Sequence, residues 1–223
     1  MLTGSALLAA EGLNCLEMSA SLPNGYTLYF CIQLSGGQVL PWYLPTWPEG
    51  FLGNSVGGTP FYTNIPGDPA LYQRVEGSKS TISFSDISVV SPTGIPATGW
   101  EAVSADAEST DQGESITWTS DVTEYIIPNG EAGQTQPVGN ACLNNGTSQS
   151  TTPYTDTPGL TGGWDNPNTT GASIDTVECS GGTTETGNEK TGTAMIGAFG
   201  PSTMTISLVG TGLEAITFGM QLP

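Results

Sequence analysis

Asp106, Glu108, Asp111 and Glu114 form the densest group of ionisable side chains in a chain of 223 residues that contains no histidine. On a strand, Asp106 and Glu108 project from one face while Val103, Ala105 and Ala107 project from the other, and a turn at 110–113 brings Glu114 back toward the acids. Carboxylates that converge repel one another unless something neutralises them. A Ca²⁺ ion, which takes six to eight oxygen ligands, would do so. So would Arg74, the only arginine of the sequence, through a bidentate pair or other structural hydrogen bonds. The third possibility is that the four stay apart and solvated.

The second chemical pattern is aromatic. Trp164, Asp165, Asn166 and Asn168 stand together in a stretch rich in Thr, Asn and Gly. A ring beside carboxylate and amide groups suits a sugar, stacking on its C–H face and hydrogen bonding to its hydroxyls. The same ring can instead fold onto a sheet edge and pin its own loop. Trp42, Tyr43 and Trp47 pose the same choice between ligand contact and packing.

Much chemistry is excluded outright. Without an imidazole there is no Ser-His-Asp or Cys-His nucleophile and no histidine-built zinc or transition-metal site. Gly53-Asn54-Ser55-Val56-Gly57 matches the nucleophile-elbow spacing, but no strand signal precedes it and nothing can activate Ser55, so it reads as a glycine-rich loop. Carboxylate pairs suited to glycoside hydrolysis carry no information, since any 21 acids include one. A secreted hydrolase is therefore a minor reading, and the expectation is a protein that is not an enzyme. Lys79 or Lys190 as isopeptide donors, or a Cys31–Gln thioester, are weaker still: Lys190 lies in a loop-like Asn-Glu-Lys-Thr-Gly stretch, and a thioester would leave an odd cysteine.

Three basic residues against 21 acidic ones give a formal charge of −18. Arg74, Lys79 and Lys190 cannot neutralise a run of phosphates, which excludes general nucleic-acid binding, and anionic membranes are equally unsuitable. Only 11% of the residues are charged, so the imbalance comes from missing bases more than from surplus acids. No apolar run reaches the ~20 residues needed to cross a bilayer, so no membrane insertion is expected. Residues 1–13 lack the basic start of a secretory signal, and the sequence reads as a mature or excised extracellular piece.

Cys15, Cys31, Cys142 and Cys179 form no CxxC pair. An even number in a Thr/Gly-rich chain suggests two disulfides and an oxidising compartment. Three pairings are possible; proximity favours Cys15–Cys31 and Cys142–Cys179. The first closes a loop worth roughly 3 kcal/mol in chain entropy.

The elements that must hold these residues are strands. Thr 31 and Ser 21, with 31 Gly and 16 Pro, favour β structure and turns. Tyr26, Leu28, Phe30, Ile32 and Leu34 share a face. Ile82 and Phe84 have one parity and Ile87 and Val89 the other, which a bulge near Ser85–Asp86 would reconcile. Met204, Ile206 and Leu208, then Ile216, Phe218, Met220 and Leu222, alternate on both sides of Gly210-Thr211-Gly212 and read as a hairpin. Further strands are expected at 99–107, 114–119, 122–127, 174–179 and 191–198. No helical period persists for three turns apart from one at 5–13. Residues 36–75 and 128–173 read as long, irregular but pinned loops that can include short strands. The expected architecture is all-β, one β-sandwich over 1–223 of jelly-roll or lectin-like type with long loops, residues 1–13 being a possible extending segment.

Ser80 to Trp118 contains a strand, a Gly-Ile-Pro turn, Ala-Asp-Ala-Glu-Ser-Thr and then Gly-Glu. With Phe51-Leu52-Gly53-Asn54, Pro69-Ala70-Leu71-Tyr72-Gln73, Pro201-Ser202-Thr203-Met204-Thr205 and Gly212–Gly219, it resembles the non-repetitive modules of CshA-type fibrillar adhesins and related Gram-positive surface proteins. The resemblance covers roughly 40–222 in patches. It implies a lectin-like sandwich at the cell surface or in the cell wall, adhering to glycans or to glycoproteins of a host or another cell, and it supplies no catalytic residues. The alternative is a subunit of an extracellular filament or pilus, in which 1–13 would join copies of the chain by strand addition.

Overall fold

The structure is a computed structural model that describes residues 14–37, 39–43, 69–73, 75, 77–106, 113–126, 176–180, 195–210 and 214–222. The described residues contain twelve strands: β1 Leu16–Ser21, β2 Thr27–Gly36, β3 Val39–Tyr43, β4 Pro69–Gln73, β5 Lys79–Val90, β6 Glu101–Asp106, β7 Ser115–Ser120, β8 Glu124–Ile126, β9 Thr176–Ser180, β10 Met195–Phe199, β11 Met204–Val209 and β12 Ala215–Gln221. They form two antiparallel sheets of six, in the orders β1-β2-β5-β11-β7-β9 and β3-β4-β12-β6-β10-β8. There is no α-helix among the described residues.

The sheets face each other across a core drawn from alternate positions of both. Leu28, Phe30, Ile32 and Leu34 of β2, Met204, Ile206 and Leu208 of β11, and Trp118 of β7 are buried from the first sheet. Ala102 and Ala105 of β6, Ile196 and Ala198 of β10 and Ile216 of β12 are buried from the second. Phe84 of β5 stacks on Phe218 of β12 with ring centroids 4.2 Å apart, and Phe30 meets Phe84 edge-on at 5.8 Å. Aromatic stacking adds a directional term to the apolar burial that joins the sheets. One polar thread also crosses the core. The Trp118 indole Nε1–H donates to Ser104 Oγ at 2.9 Å, and Ser104 Oγ–H donates to the Thr217 carbonyl at 2.8 Å. The only polar atom of a fully buried indole is thereby satisfied.

The bulge is where the parity switch requires it. Tyr29 pairs with Ser88 but Cys31 pairs with Ser85, so two residues of β5 oppose one of β2, and Asp86 takes φ 52°. The extra residue turns Ile87 and Val89 inward alongside Ile82 and Phe84.

The periodicity of 204–222 is also present, but the hairpin is not. β11 pairs with β5 and β7 in the first sheet, whereas β12 pairs with β4 and β6 in the second. Two strands with one apolar face each can meet side by side or face to face, and period two is the same in both cases.

A strand absent from the sequence reading precedes β2. In β1, Leu16, Met18 and Ala20 alternate with exposed Glu17, Ser19 and Ser21, and β1 runs antiparallel to β2 from Leu16–Ile32 to Ser21–Thr27. The connection turns on Asn24 (φ 60°) and Gly25 (φ 78°), with Tyr26 N–H donating to the Pro23 carbonyl. Asn-Gly is the preferred pair for a type I′ hairpin turn, because both residues tolerate the left-handed region.

Cys15 and Cys31 are bonded, with Cα atoms 5.4 Å apart, tying the start of β1 to β2. The fold thus shows one of the two expected disulfides. The backbone of Cys179 pairs with Ile116 in the β7–β9 ladder, while Cys142 lies outside the described residues. So do residues 1–13, Ser55 and Lys190; Lys79 is exposed at the start of β5.

Candidate functional site

Strand direction sorts the candidate residues onto two rims. At one rim β2, β4, β6 and β9 end and β5, β7 and β12 begin. Asp106 is the last residue of β6 and pairs with Ile216, next to the start of β12. Glu114 immediately precedes β7 and Glu214 immediately precedes β12, and both are buried. The sequence group thus begins and ends on one rim, and Glu214 joins it there. Glu114 and Glu214 each have an interaction partner, as a buried carboxylate requires. Glu108, Asp111 and Arg74 lie outside the described residues, and only the backbone of Asp106 is described.

The same rim is closed by a buried amide. Gln73, at the end of β4, is fully buried. Its Nε2 donates to the Ser78 carbonyl at 3.1 Å, just before β5, and to Ser80 Oγ at 3.2 Å, at the start of β5 in the opposite sheet. Its Oε1 accepts from Glu214 N–H at 3.1 Å, and Glu214 Oε1 accepts from Ala215 N–H at 3.3 Å. A side chain with donors and an acceptor can bridge two strand ends that cannot pair with each other. Beside it Gly36 has φ +88°, and a Cβ there would lie 2.1 Å from the Lys79 carbonyl oxygen. Only glycine allows β2 to close over β5 and hand the chain across to β3.

The aromatic candidates attach elsewhere. β3 starts opposite Gln73 and runs away from the acidic rim, carrying the Trp42 backbone opposite Ala70. The strand therefore leads toward residues 44–68, which include Trp47. The long stretch that holds Trp164, Asp165, Asn166 and Asn168 rejoins the sheet at Thr176, paired with Thr119 at the end of β7 away from the acids. The side chains of Trp42, Trp47 and 164–168 lie outside the described residues.

That second rim has its own fastening. Asp121, after β7, accepts on Oδ1 from Ser202 N–H at 2.9 Å and Thr203 N–H at 3.0 Å, while Ser202 Oγ–H donates to Oδ2. Partial burial pushes its carboxyl up, but the Ser202 hydroxyl and the Thr203 and Ser202 amides outweigh it and hold the pKa below the ordinary 3.8. Trp100 is buried nearby, its carbonyl accepting from Gly200 N–H at 3.1 Å, whereas Phe199 is exposed.

Neither the Gln73–Glu214 bridge nor the Asp121 clasp was legible from spacing. The signals available were a glutamine and a glutamate ending or preceding strong strand patterns, and an aspartate in the turn after one. Such residues become partners only once the sheets are assembled.

Taken together, two facing sheets with a covalently tied edge strand and polar fastenings at both rims define a scaffold of the β-sandwich class. The chain belongs to the family of the surface adhesin CshA non-repetitive domain 2, whose family model matches residues 18–221. That span runs from within β1 to the last residue of β12. No curated protein and no solved structure matches the chain. Membership assigns it a surface-adhesin role outside the cell. No helix among the described residues is long and apolar enough to cross a membrane.

Proposed function

We propose that this chain is an adhesive module, displayed on a Gram-positive cell wall, that binds glycan or glycoprotein ligands through the segments between its strands. The family match across the whole sandwich carries the reading. Three features support it. The Cys15–Cys31 bond fits an extracellular compartment. The charge of −18 fits a partner recognised by hydrogen bonding and ring stacking rather than by a polyanionic backbone. In the sequence, the stretches containing Trp47 and Trp164 connect strands of a fastened frame, the usual position of binding segments on a scaffold.

The strand order supports a closer description of the frame as jelly-roll-like. β5-β11-β7-β9 opposite β6-β10-β8 follows the interleaved order of two Greek keys, with β12 added beside β6. That order supports reading the module as a lectin-like sandwich.

The test is binding of the purified chain to arrays of glycans and of extracellular-matrix and cell-surface glycoproteins. Specific binding that falls when Trp47 or Trp164 is replaced by Ala is expected. A chain that binds nothing on such arrays but polymerises through residues 1–13 would overturn this reading in favour of a filament subunit.

A further inference from the structure

β1 is the outermost strand of the first sheet, and among the described residues its ladder is made with β2. Its inward side chains, Leu16, Met18 and Ala20, are half-buried, in contrast to the fully buried Ile32 beside them. The β1–β2 hairpin is closed at its tip by Asn24-Gly25 and opens at the Leu16–Ile32 pair. Cys15 sits at that open mouth, one residue before the first pair of the ladder, and is bonded to Cys31, which pairs with Glu17 in the second.

A pull on the chain from the residues preceding Cys15 arrives at the mouth. The other end of the chain leaves β12 at the opposite rim, so the pull runs along the strands and, without the bond, loads the β1–β2 ladder in shear. That ladder has only six pairs, over side chains that are half-buried, so β1 would be the first strand to slide out. With the bond, tension passes through the two sulfur atoms to Cys31 and bypasses β1. Cys31 is buried, and its strand is held on the other side by β5 along almost its whole length, from Thr27–Val90 to Gly36–Ser80.

We propose that the Cys15–Cys31 disulfide is a tension latch: it carries load from the N-terminal side directly into the body of the sheet and keeps the edge strand β1 from being drawn out of it. An adhesin is held between its own cell and its ligand, so a weak edge at the point where force enters would otherwise open first. The proposal does not depend on which ligand is bound or where.

The test is single-molecule stretching of the full chain between an N-terminal and a C-terminal handle, comparing the oxidised protein with a Cys15→Ser/Cys31→Ala variant. Drawing β1 off β2 frees residues 15–26, about 40 Å of chain at 3.3–3.6 Å per residue, of which the six-residue strand already spans about 20 Å, so the extension gained is about 20 Å. The variant is expected to show an added early step of about that length at lower force than the main unfolding event. The oxidised protein should lack that step. Should the variant fail to fold, adding a thiol reductant to the folded oxidised protein under load gives the same comparison, the step appearing as the bond is cut. An early step of this length in the oxidised protein, or a reduced or substituted protein that opens in one event at the oxidised protein's force, would overturn the proposal.

Discussion

Replacing Ser104 with Ala tests how the two sheets are held together. The substitution removes one oxygen atom from a fully buried position and with it two hydrogen bonds, from Trp118 Nε1 at 2.9 Å and to the Thr217 carbonyl at 2.8 Å. Trp118 is itself fully buried, so its N–H is left without a partner, a penalty of about 1–3 kcal/mol. Loss of the hydroxyl–carbonyl bond adds about 1 kcal/mol, and relief of the serine's own desolvation returns a similar amount. The expected destabilisation is about 2 kcal/mol, or a fall in Tm of about 4–8 °C for a protein of this size. Urea unfolding of the oxidised protein, followed by tryptophan fluorescence, should show a lower midpoint at unchanged slope. Ser88→Ala, on the exposed face of β5, should stay within about 0.5 kcal/mol of the parent. In a Trp118→Phe background there is no indole N–H to strand, so the cost of Ser104→Ala should shrink by about 1–2 kcal/mol. A Ser104→Ala protein as stable as the parent, or one whose cost is the same in both backgrounds, would show that the thread is incidental.

Four further outcomes are expected. Gly36→Ala should cost about 3 kcal/mol or more in chemical denaturation, because a positive φ coincides with a backbone oxygen 2.1 Å from the new Cβ; Gly94→Ala, at φ +82° with nothing within 4 Å, should cost only about 1 kcal/mol. The Asp121 carboxylate is held below its ordinary pKa, so its stabilisation is complete above the unfolded value and disappears as pH falls through the folded one. The Tm gap between the parent and Asp121→Asn, whose amide oxygen still accepts from the backbone, should therefore be present at pH 6 and close below about pH 4, where carboxylates titrate. If Asp106, Glu108, Asp111 and Glu114 hold Ca²⁺, the ion should raise Tm relative to a chelator and the rise should vanish in Asp111→Asn; equal Tm values would remove the metal reading. Finally, if Cys142 pairs with Cys179, a non-reduced digest should contain that cross-linked peptide, and recovery of either residue alkylated without reduction would exclude the pairing.

The amino-acid order determined the local facts. Missing histidine and missing bases set what chemistry and which partners are possible. Period two in Leu28–Leu34 and Met204–Leu208 fixed which side chains turn inward, and the parity switch between Phe84 and Ile87 required the bulge at Asp86. Even the edge strand β1 was written in the sequence, in Leu16, Met18, Ala20 and the Asn24-Gly25 turn, because hairpin geometry depends on two adjacent φ values. Which strands lie beside one another was a different matter. Met204–Val209 and Ala215–Gln221 have the pattern of a hairpin yet occupy opposite sheets, because an apolar face is equally satisfied beside a neighbour or across the core. Ser104 under Trp118, Gln73 between Ser80 and Glu214, and Asp121 beneath Ser202 join residues far apart in the chain. Such partnerships depend on relative strand position, which arises from packing the whole core and leaves no periodic mark on any one segment.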